Sequence, residues 1–366
     1  MTTADCPITV VHDYLTQRGG AERVVLSMLK AFPEAPLYTS LYDPDATFDE
    51  FGAVDVRPLP LNRSPLLRRR HRLALPFLAS AFDSLESQSV VTVCSTSGWA
   101  HGTRARGRKV LYCYTPPRWL YDPRSYVTGV ARRTAMGLFR KRLARWDQTA
   151  AASADGYLSS SRAMQARIRR AYGIDAEILP PPITLDVEAP LLPVPGLEPG
   201  FVLCVSRLLR YKNVGAVVEA SQLVPSARFV VAGTGPEAHA LRRAAGDNVE
   251  FLGAVSDAEL RYLYANCAGL VAAGYEDFGL TPLEAAAFGK PTAALRYGGF
   301  LDTLVAEQTG IFFDRPVAAD IAAAVRRLLR TGWDEDLLRR HAESFSEERF
   351  AARLREIVDE EMAYAA

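Results

Sequence analysis

The sequence predicts an α/β protein made of two doubly wound, Rossmann-like domains. Short β-branched runs alternate with helical patterns from end to end, the arrangement of parallel sheets covered on both faces. A proline-rich stretch from Pro180 to Gly200 interrupts that alternation once. The length of 366 residues suits two domains of ordinary size.

In the first half, strands are predicted at Ile8–Asp13, Pro36–Tyr42, Val90–Ser95, Val110–Thr115, Tyr157–Ser160 and Glu177–Pro180. Helices are predicted between them at Gly20–Phe32, Pro65–Ser84, Val130–Ala152 and Ser161–Tyr172. The second half repeats the scheme, with strands at Phe201–Arg207, Arg228–Gly233, Val249–Leu252, Gly269–Ala272 and Pro291–Leu295. Its helices are predicted at Asn213–Leu223, Pro236–Ala245, Asp257–Asn266 and Thr281–Phe288. Ala318 to Ala366 reads as all-helical. Residues 1–182 then form one domain, 183–200 a linker and 201–345 a second domain, followed by a terminal helix over 346–366. In such folds ligands bind beyond the carboxyl ends of the strands.

A content of 49% hydrophobic and 23% charged residues excludes disorder as the main state, and no apolar run approaches the roughly 18–20 residues of a membrane span. Met1–Asp5 carries neither a basic region nor an apolar core, so no signal peptide is expected. The five cysteines are scattered and lack any CxxC pair, the usage of reduced thiols in a cytoplasmic protein. The net charge of +1 hides an asymmetry. Residues 1–182 hold 25 Lys+Arg against 16 Asp+Glu, and residues 183–366 hold 18 against 26. The basic half is suited to face something anionic.

The segment from Gly274 to Glu284 follows an apolar strand and opens a helix. Thr281 fits an N-cap, Pro282 the first helical position and Glu284 the third, a capping-box spacing that gives Glu284 a structural reading. The functional reading is that Gly279, Leu280 and Thr281 offer backbone N–H groups to a phosphate, with Glu276 on the loop above. Arg207 and Lys212 lie just beyond a strand end, a planar fork and a point charge that by themselves read as solvated charges on a loop. Gly19 and Gly20 stand between the first strand and helix, where a ligand could approach the backbone or a tight turn could simply require them. Gly233-Thr234-Gly235-Pro236 reads as a structural turn. The triplets Asp43-Pro44-Asp45 and Asp334-Glu335-Asp336 bring no further ligands at useful spacing, so neither a metal nor another cofactor is expected.

Taken in order, these motifs resemble family 4 retaining glycosyltransferases. Glu276 and Glu284, with seven residues between them, look like the EX7E signature of that family. Arg207 with Lys212, the Arg18–Arg23 loop and Tyr112–Tyr121 fit its other segments, and Tyr112–Tyr121 is most similar to the mannosyltransferase-like branch of bacterial surface-polysaccharide synthesis. The resemblance implies the GT-B fold, two Rossmann-like domains facing each other across a cleft, with the terminal helix returning to the first. It implies a metal-independent hexosyltransferase using a nucleoside diphosphate sugar, GDP-mannose by the branch, with a saccharide, lipid-linked or small-molecule acceptor. By the same resemblance Glu284 holds ribose hydroxyls, Glu276 contacts the sugar, Arg207 and Lys212 neutralise the diphosphate, aided by backbone at Phe278–Thr281, and Gly19 and Gly20 lie near the reacting centre. The branch usually carries His where this chain has Tyr114, and His101 is a candidate to reach the same pocket. A non-hydrolysing nucleotide-sugar epimerase and a non-catalytic GT-B scaffold are the alternatives. The absence of a strand–GxGxxG–helix unit argues against a dehydrogenase.

Two acid-free windows, 56–82 and 123–146, mix arginines with Leu, Phe and Met. Basic amphipathic segments of this kind suit an anionic membrane surface, giving an expectation of a cytoplasmic protein that can sit peripherally at the inner face of the membrane. No nucleic-acid module accompanies the charge.

Overall fold

The structure, a computed structural model, describes residues 6–121 and 130–365, and of residues 119 and 130–139 it describes the backbone alone. Met1–Asp5 and Arg124 therefore lie outside the described residues, as do the side chains of Trp119, Arg132, Arg133, Met136, Leu138 and Phe139. The chain divides into two compact units, residues 1–182 with 347–366, and residues 183–346.

In the first unit the strands are β1 (Ile8–His12), β2 (Leu37–Thr39), β3 (Val56–Pro58), β4 (Glu86–Ser87), β5 (Val91–Thr96), β6 (Arg104–Ala105), β7 (Arg108–Cys113), β8 (Gly156–Ser159) and β9 (Glu177–Ile178). Seven of them form one parallel sheet in the order β3-β2-β1-β5-β7-β8-β9, and β4 pairs with β6 alone. The register sets Val10 beside Val93 and Val11 beside Cys94. Because side chains alternate along a strand, Val10, Val93 and Tyr112 face one side, against Met28 of the helix Gly20–Ala31 and Phe350, Leu354 and Val358 of the helix Glu347–Ala365. Val11, Cys94 and Leu111 face the other side, against Leu78, Phe82, Ala151 and Ile168. Two buried faces explain why these strands read as apolar runs.

The second unit carries β10 (Val202–Val205), β11 (Phe229–Ala232), β12 (Val249–Gly253), β13 (Gly269–Ala272), β14 (Thr292–Leu295) and β15 (Gly310–Phe313), all parallel, in the order β12-β11-β10-β13-β14-β15. Helices Val214–Gln222 and Ala318–Arg330 cover one face through Val217, Val218, Ile321 and Val325. Leu263, Tyr264 and Ala285 cover the other. The proline-rich stretch is not a free linker. Leu185 and Leu197 are buried in that second cluster, so the segment is packed onto its own unit.

The single helix expected over Pro65–Ser84 is broken. It becomes a helix Pro65–Arg69, a 3-10 turn His71–Leu73 and a helix Leu75–Asp83. Pro76 lacks an N–H and occupies the first turn of the last piece, where that loss is harmless, whereas in mid-helix it would cost a hydrogen bond. All five cysteines are free thiols, and burial pushes those of Cys94, Cys204 and Cys267 up to about 12. Protonated thiols of that kind are inert packing groups. No described helix is long and apolar enough to cross a membrane.

Candidate functional site

In the second unit the candidate residues gather at the carboxyl ends of β10 and β13. Beyond β10, Arg207 is exposed and donates to the Tyr211 hydroxyl at 3.3 Å. The chain then makes a 3-10 turn, Arg210–Lys212, and Asn213 follows in the left-handed region at φ 54°. Asn tolerates that conformation, and here its Nδ2 donates to the Ala273 carbonyl at 2.9 Å, tying the turn to the end of β13. The Tyr275 N–H adds a bond to the Tyr211 carbonyl at 3.1 Å. These two ties bring Lys212 to Glu276, and its ammonium makes an ion pair with the Glu276 carboxylate. Neither side chain is wholly buried, at 11% and 27% exposure.

Gly298 and Gly299 support that loop from behind. A Cβ on Gly298, which sits at φ 57°, would lie 2.1 Å from the Glu276 carbonyl oxygen, and one on Gly299 would lie 2.1 Å from Phe278 Cα. Only glycine lets the two backbones come this close. Gly279 adopts φ 89°, turning the chain into the helix Thr281–Ala287.

The expected capping box is absent. Leu280 is already helical at φ −70°, ψ −32°, and its carbonyl accepts from the N–H groups of Leu283 and Glu284. This starts the helix one residue early, so Thr281 is not the cap and no side-chain cap bond forms. Glu284 is instead oriented by Tyr264, whose hydroxyl donates to Oε2 at 2.6 Å. Burial first, and the Glu284 carboxylate second, raise the Tyr264 phenol well above its usual range, so it remains a donor. Tyr264 was not foreseen, because nothing in its helix distinguishes it from a core aromatic. The Gly233–Gly235 turn is structural. A Cβ on Gly233 would meet the Ser206 carbonyl oxygen at 1.9 Å, and one on Gly235 the Leu208 carbonyl oxygen at 2.3 Å.

In the first unit, Gly19 and Gly20 differ. A Cβ on Gly19 would lie 2.6 Å from Glu22 Oε2, a buried oxygen with no hydrogen-bond partner among the described residues, while Glu22 Oε1 accepts from Gln17 Nε2 at 3.0 Å. A Cβ on Gly20 would meet nothing within 4 Å. A side chain at 19 would have to displace the far end of the flexible Glu22 side chain, and one at 20 would displace nothing. Tyr114 projects from the end of β7, and its hydroxyl donates to the Ala21 carbonyl at 3.1 Å beside Ser95 Oγ at 3.0 Å. It is thus tied to the first turn of the helix that Gly20 opens.

His101 does not offer a ring nitrogen to a ligand. It is 1% exposed, with Nδ1 at 3.2 Å from Thr96 Oγ1 and Nε2 at 2.9 Å from Asp147 Oδ1. The Tyr121 hydroxyl donates to the other oxygen of Asp147 at 2.6 Å. Asp13, also unforeseen, accepts from the N–H groups of Ser97 at 2.7 Å, Trp99 at 3.2 Å and Ala100 at 2.7 Å, fixing the turn that carries His101. Buried carboxylates satisfied in this way are structural anchors. Among the described residues no group of three or more His, Cys, Asp or Glu is arranged to hold a metal.

Two family descriptions match the chain. "Glycosyltransferase Family 4" covers residues 18–187 and "Glycosyl transferases group 1" covers residues 194–351. A glycogen synthase from Thermus thermophilus is 33% identical over 173 residues, which is 45% of this chain and 40% of that protein. The chain thus spans less than half the length of the curated relatives it matches. Among solved structures, sucrose-phosphate synthase from Thermosynechococcus elongatus superposes with a TM-score of 0.72 at 20% identity, covering 98% of this chain and 100% of that one. The Anabaena protein HepE in complex with UDP-glucose superposes with a TM-score of 0.71 at 16% identity, covering 96% and 99%. The two parallel sheets, the structural neighbours along nearly the whole length and the family match on each half identify a GT-B fold and support a glycosyltransferase of the family 4 type.

Proposed function

We propose that this protein is a retaining glycosyltransferase that moves a hexose from a nucleoside diphosphate sugar to a saccharide, lipid-linked or small-molecule acceptor. The observation that carries the reading is the convergence of Lys212, Glu276 and the Phe278–Glu284 loop at the carboxyl ends of β10 and β13. In this reading the Lys212–Glu276 pair holds both groups in place for the donor. The diphosphate takes Lys212 and Arg207, a sugar hydroxyl takes Glu276, and the backbone of Phe278–Thr281 follows the phosphates. Glu284, with one oxygen held by Tyr264, accepts the ribose hydroxyls. Gly20 leaves room for a ligand against the first unit's backbone.

The reaction is a front-face exchange at the anomeric carbon. The bond from that carbon to the donor phosphate oxygen breaks, and the acceptor hydroxyl oxygen bonds to it on the same face. The acceptor proton passes to the leaving phosphate, so neither a protein nucleophile nor a metal is required. Fixed cations oppose the charge that grows on that phosphate. GDP-mannose is the first donor to test, on the strength of Tyr112–Tyr121, and UDP-glucose the second, because HepE binds it on the same fold.

Thermal unfolding with GDP, UDP and ADP, wild type beside Glu284→Ala, tests the donor site. A nucleotide at about 100 times its dissociation constant adds about 2.7 kcal/mol to stability. One nucleotide should raise the midpoint of the wild type alone, and sugar transfer from its hexose conjugate should require an acceptor. Turnover of the donor without an acceptor into an isomeric nucleotide sugar would mark an epimerase. No shift with any of the three at millimolar concentration would remove the donor site.

A further inference from the structure

The first unit carries a surface that the transferase chemistry does not use. Between Asp55 and Asp83 the chain has no acidic residue. Arg63, Arg69, Arg70 and Arg72 are exposed there, and none makes an ion pair among the described residues. Interleaved with them are four large apolar side chains that face water: Leu66 at 57% exposure, Leu73 at 48%, Leu75 at 37% and Phe77 at 53%. The segment is not loose. Ala74, Leu78 and Phe82 beneath it are fully buried. His71 stacks on Tyr14 with ring centroids 4.9 Å apart and meets Thr16 Oγ1 at 3.2 Å. A fixed backbone thus holds apolar and cationic groups together in solvent, against the cost of exposing hydrocarbon.

We infer that the Arg63–Phe77 segment docks on the surface of an anionic lipid bilayer. A lipid surface supplies anionic headgroups for the guanidinium groups and hydrocarbon for Leu66, Leu73, Leu75 and Phe77 at one boundary. A polyanion such as a nucleic acid matches the arginines and leaves these four side chains in water. A second copy of the chain, related by a two-fold axis, sets arginine against arginine. A second basic element belongs to the same unit. The helix Val130–Ala152 and the helix Leu75–Asp83 both pack on the turn Ala100–Gly102, where a Cβ on Gly102 would lie between Trp146 and Phe82. The first of these helices exposes Lys141, Arg142 and Arg145. The docking needs no nucleotide and stands independently of the transferase reading.

Vesicle flotation of the full chain tests it, using phosphatidylcholine vesicles with and without a third of phosphatidylglycerol. Two triple variants accompany the wild type: Arg69→Ser/Arg70→Ser/Arg72→Ser, and Leu73→Ser/Leu75→Ser/Phe77→Ser. Thermal midpoints confirm that both fold. The wild type should float with the anionic vesicles alone and lose most of that binding in high salt. Removing three arginines should weaken partitioning on the order of 100-fold. The apolar variant should also lose binding, and this separates a bilayer from a soluble polyanion. The inference is overturned if the wild type ignores anionic vesicles or if the arginine variant binds them equally well. It is also overturned if the apolar variant keeps full binding, or if the wild type is a dimer that the apolar variant turns into a monomer.

Discussion

Tyr264 donates its hydroxyl to Glu284 across 2.6 Å, from inside one helix to the first turn of another. The phenol ring is fully buried and stacks on Phe288 with centroids 5.9 Å apart, so Glu284 is aimed by a group that cannot move far. Tyr264→Phe keeps the ring and removes one hydrogen bond, and should cost about 1 kcal/mol of stability. The same change should weaken nucleotide binding more than it changes kcat, because it loosens the carboxylate proposed to hold the ribose. Calorimetric titration of the nucleotide beside steady-state kinetics separates the two effects.

The Lys212–Glu276 pair is the charge contact nearest the proposed chemistry. Lys212→Ala should lower kcat on the order of 100- to 1,000-fold, the usual size for removing one fixed group that stabilises developing charge. Lys212→Arg keeps the charge but changes its shape, and should recover only part of the rate. Unchanged turnover in the alanine variant would exclude Lys212 from the transition state.

Gly20 begins a helix where nothing within 4 Å would touch a side chain. Gly20→Ala should therefore stabilise the ligand-free protein by roughly 0.4–1 kcal/mol through the lower entropy of the unfolded chain. If a ligand packs against that backbone, the same variant loses activity. A more stable and less active protein is the expected result. Stability gained with activity intact would leave Gly20 without a role in the site.

His71 supplies a pH dependence. Burial, and then the neighbouring Arg72, hold its pKa below the ordinary 6.5. The unfolded chain takes up the proton first, so the neutral His71 contributes its full stability above about pH 6.5. That contribution is lost as pH falls through the folded value. Urea unfolding at pH 7.5 and 5.5 should show a larger drop for the wild type than for His71→Gln. Equal drops would mean that the ring already titrates normally.

Most of the fold was legible because its signals are local. Val10, Val93 and Val202 belong to short β-branched runs, and doubly wound sheets bury such runs on both faces. The clustering of Lys212 with Glu276 was legible only through motif order. The contact itself depends on Asn213 and Tyr275, whose ties to Ala273 and Tyr211 span the two loops and leave no periodic trace. The capping box failed because its spacing is satisfied by sequence alone, whereas the helix start was decided by the backbone angles of Leu280 after the turn at Gly279. His101 stood in a loop pattern and proved to be core, because its partner Asp147 lies 46 positions away. Side chains that meet across such distances are set by packing, which one sequence does not display.

The first unit is discontinuous in the chain: its sheet is built from residues before 182, yet Phe350, Leu354, Ile357 and Val358 complete one of its two faces. Synthesis from the N-terminus therefore delivers a sheet whose face around Val10 and Tyr112, already packed on the helix Gly20–Ala31, lacks the cover of Phe350, Leu354, Ile357 and Val358 while the whole second unit is made. The second unit, continuous from 183 to 346, has all its own parts before the first does. The part begun first is finished last, and during that interval part of an apolar face of the nascent chain is open to chaperones and to misassociation.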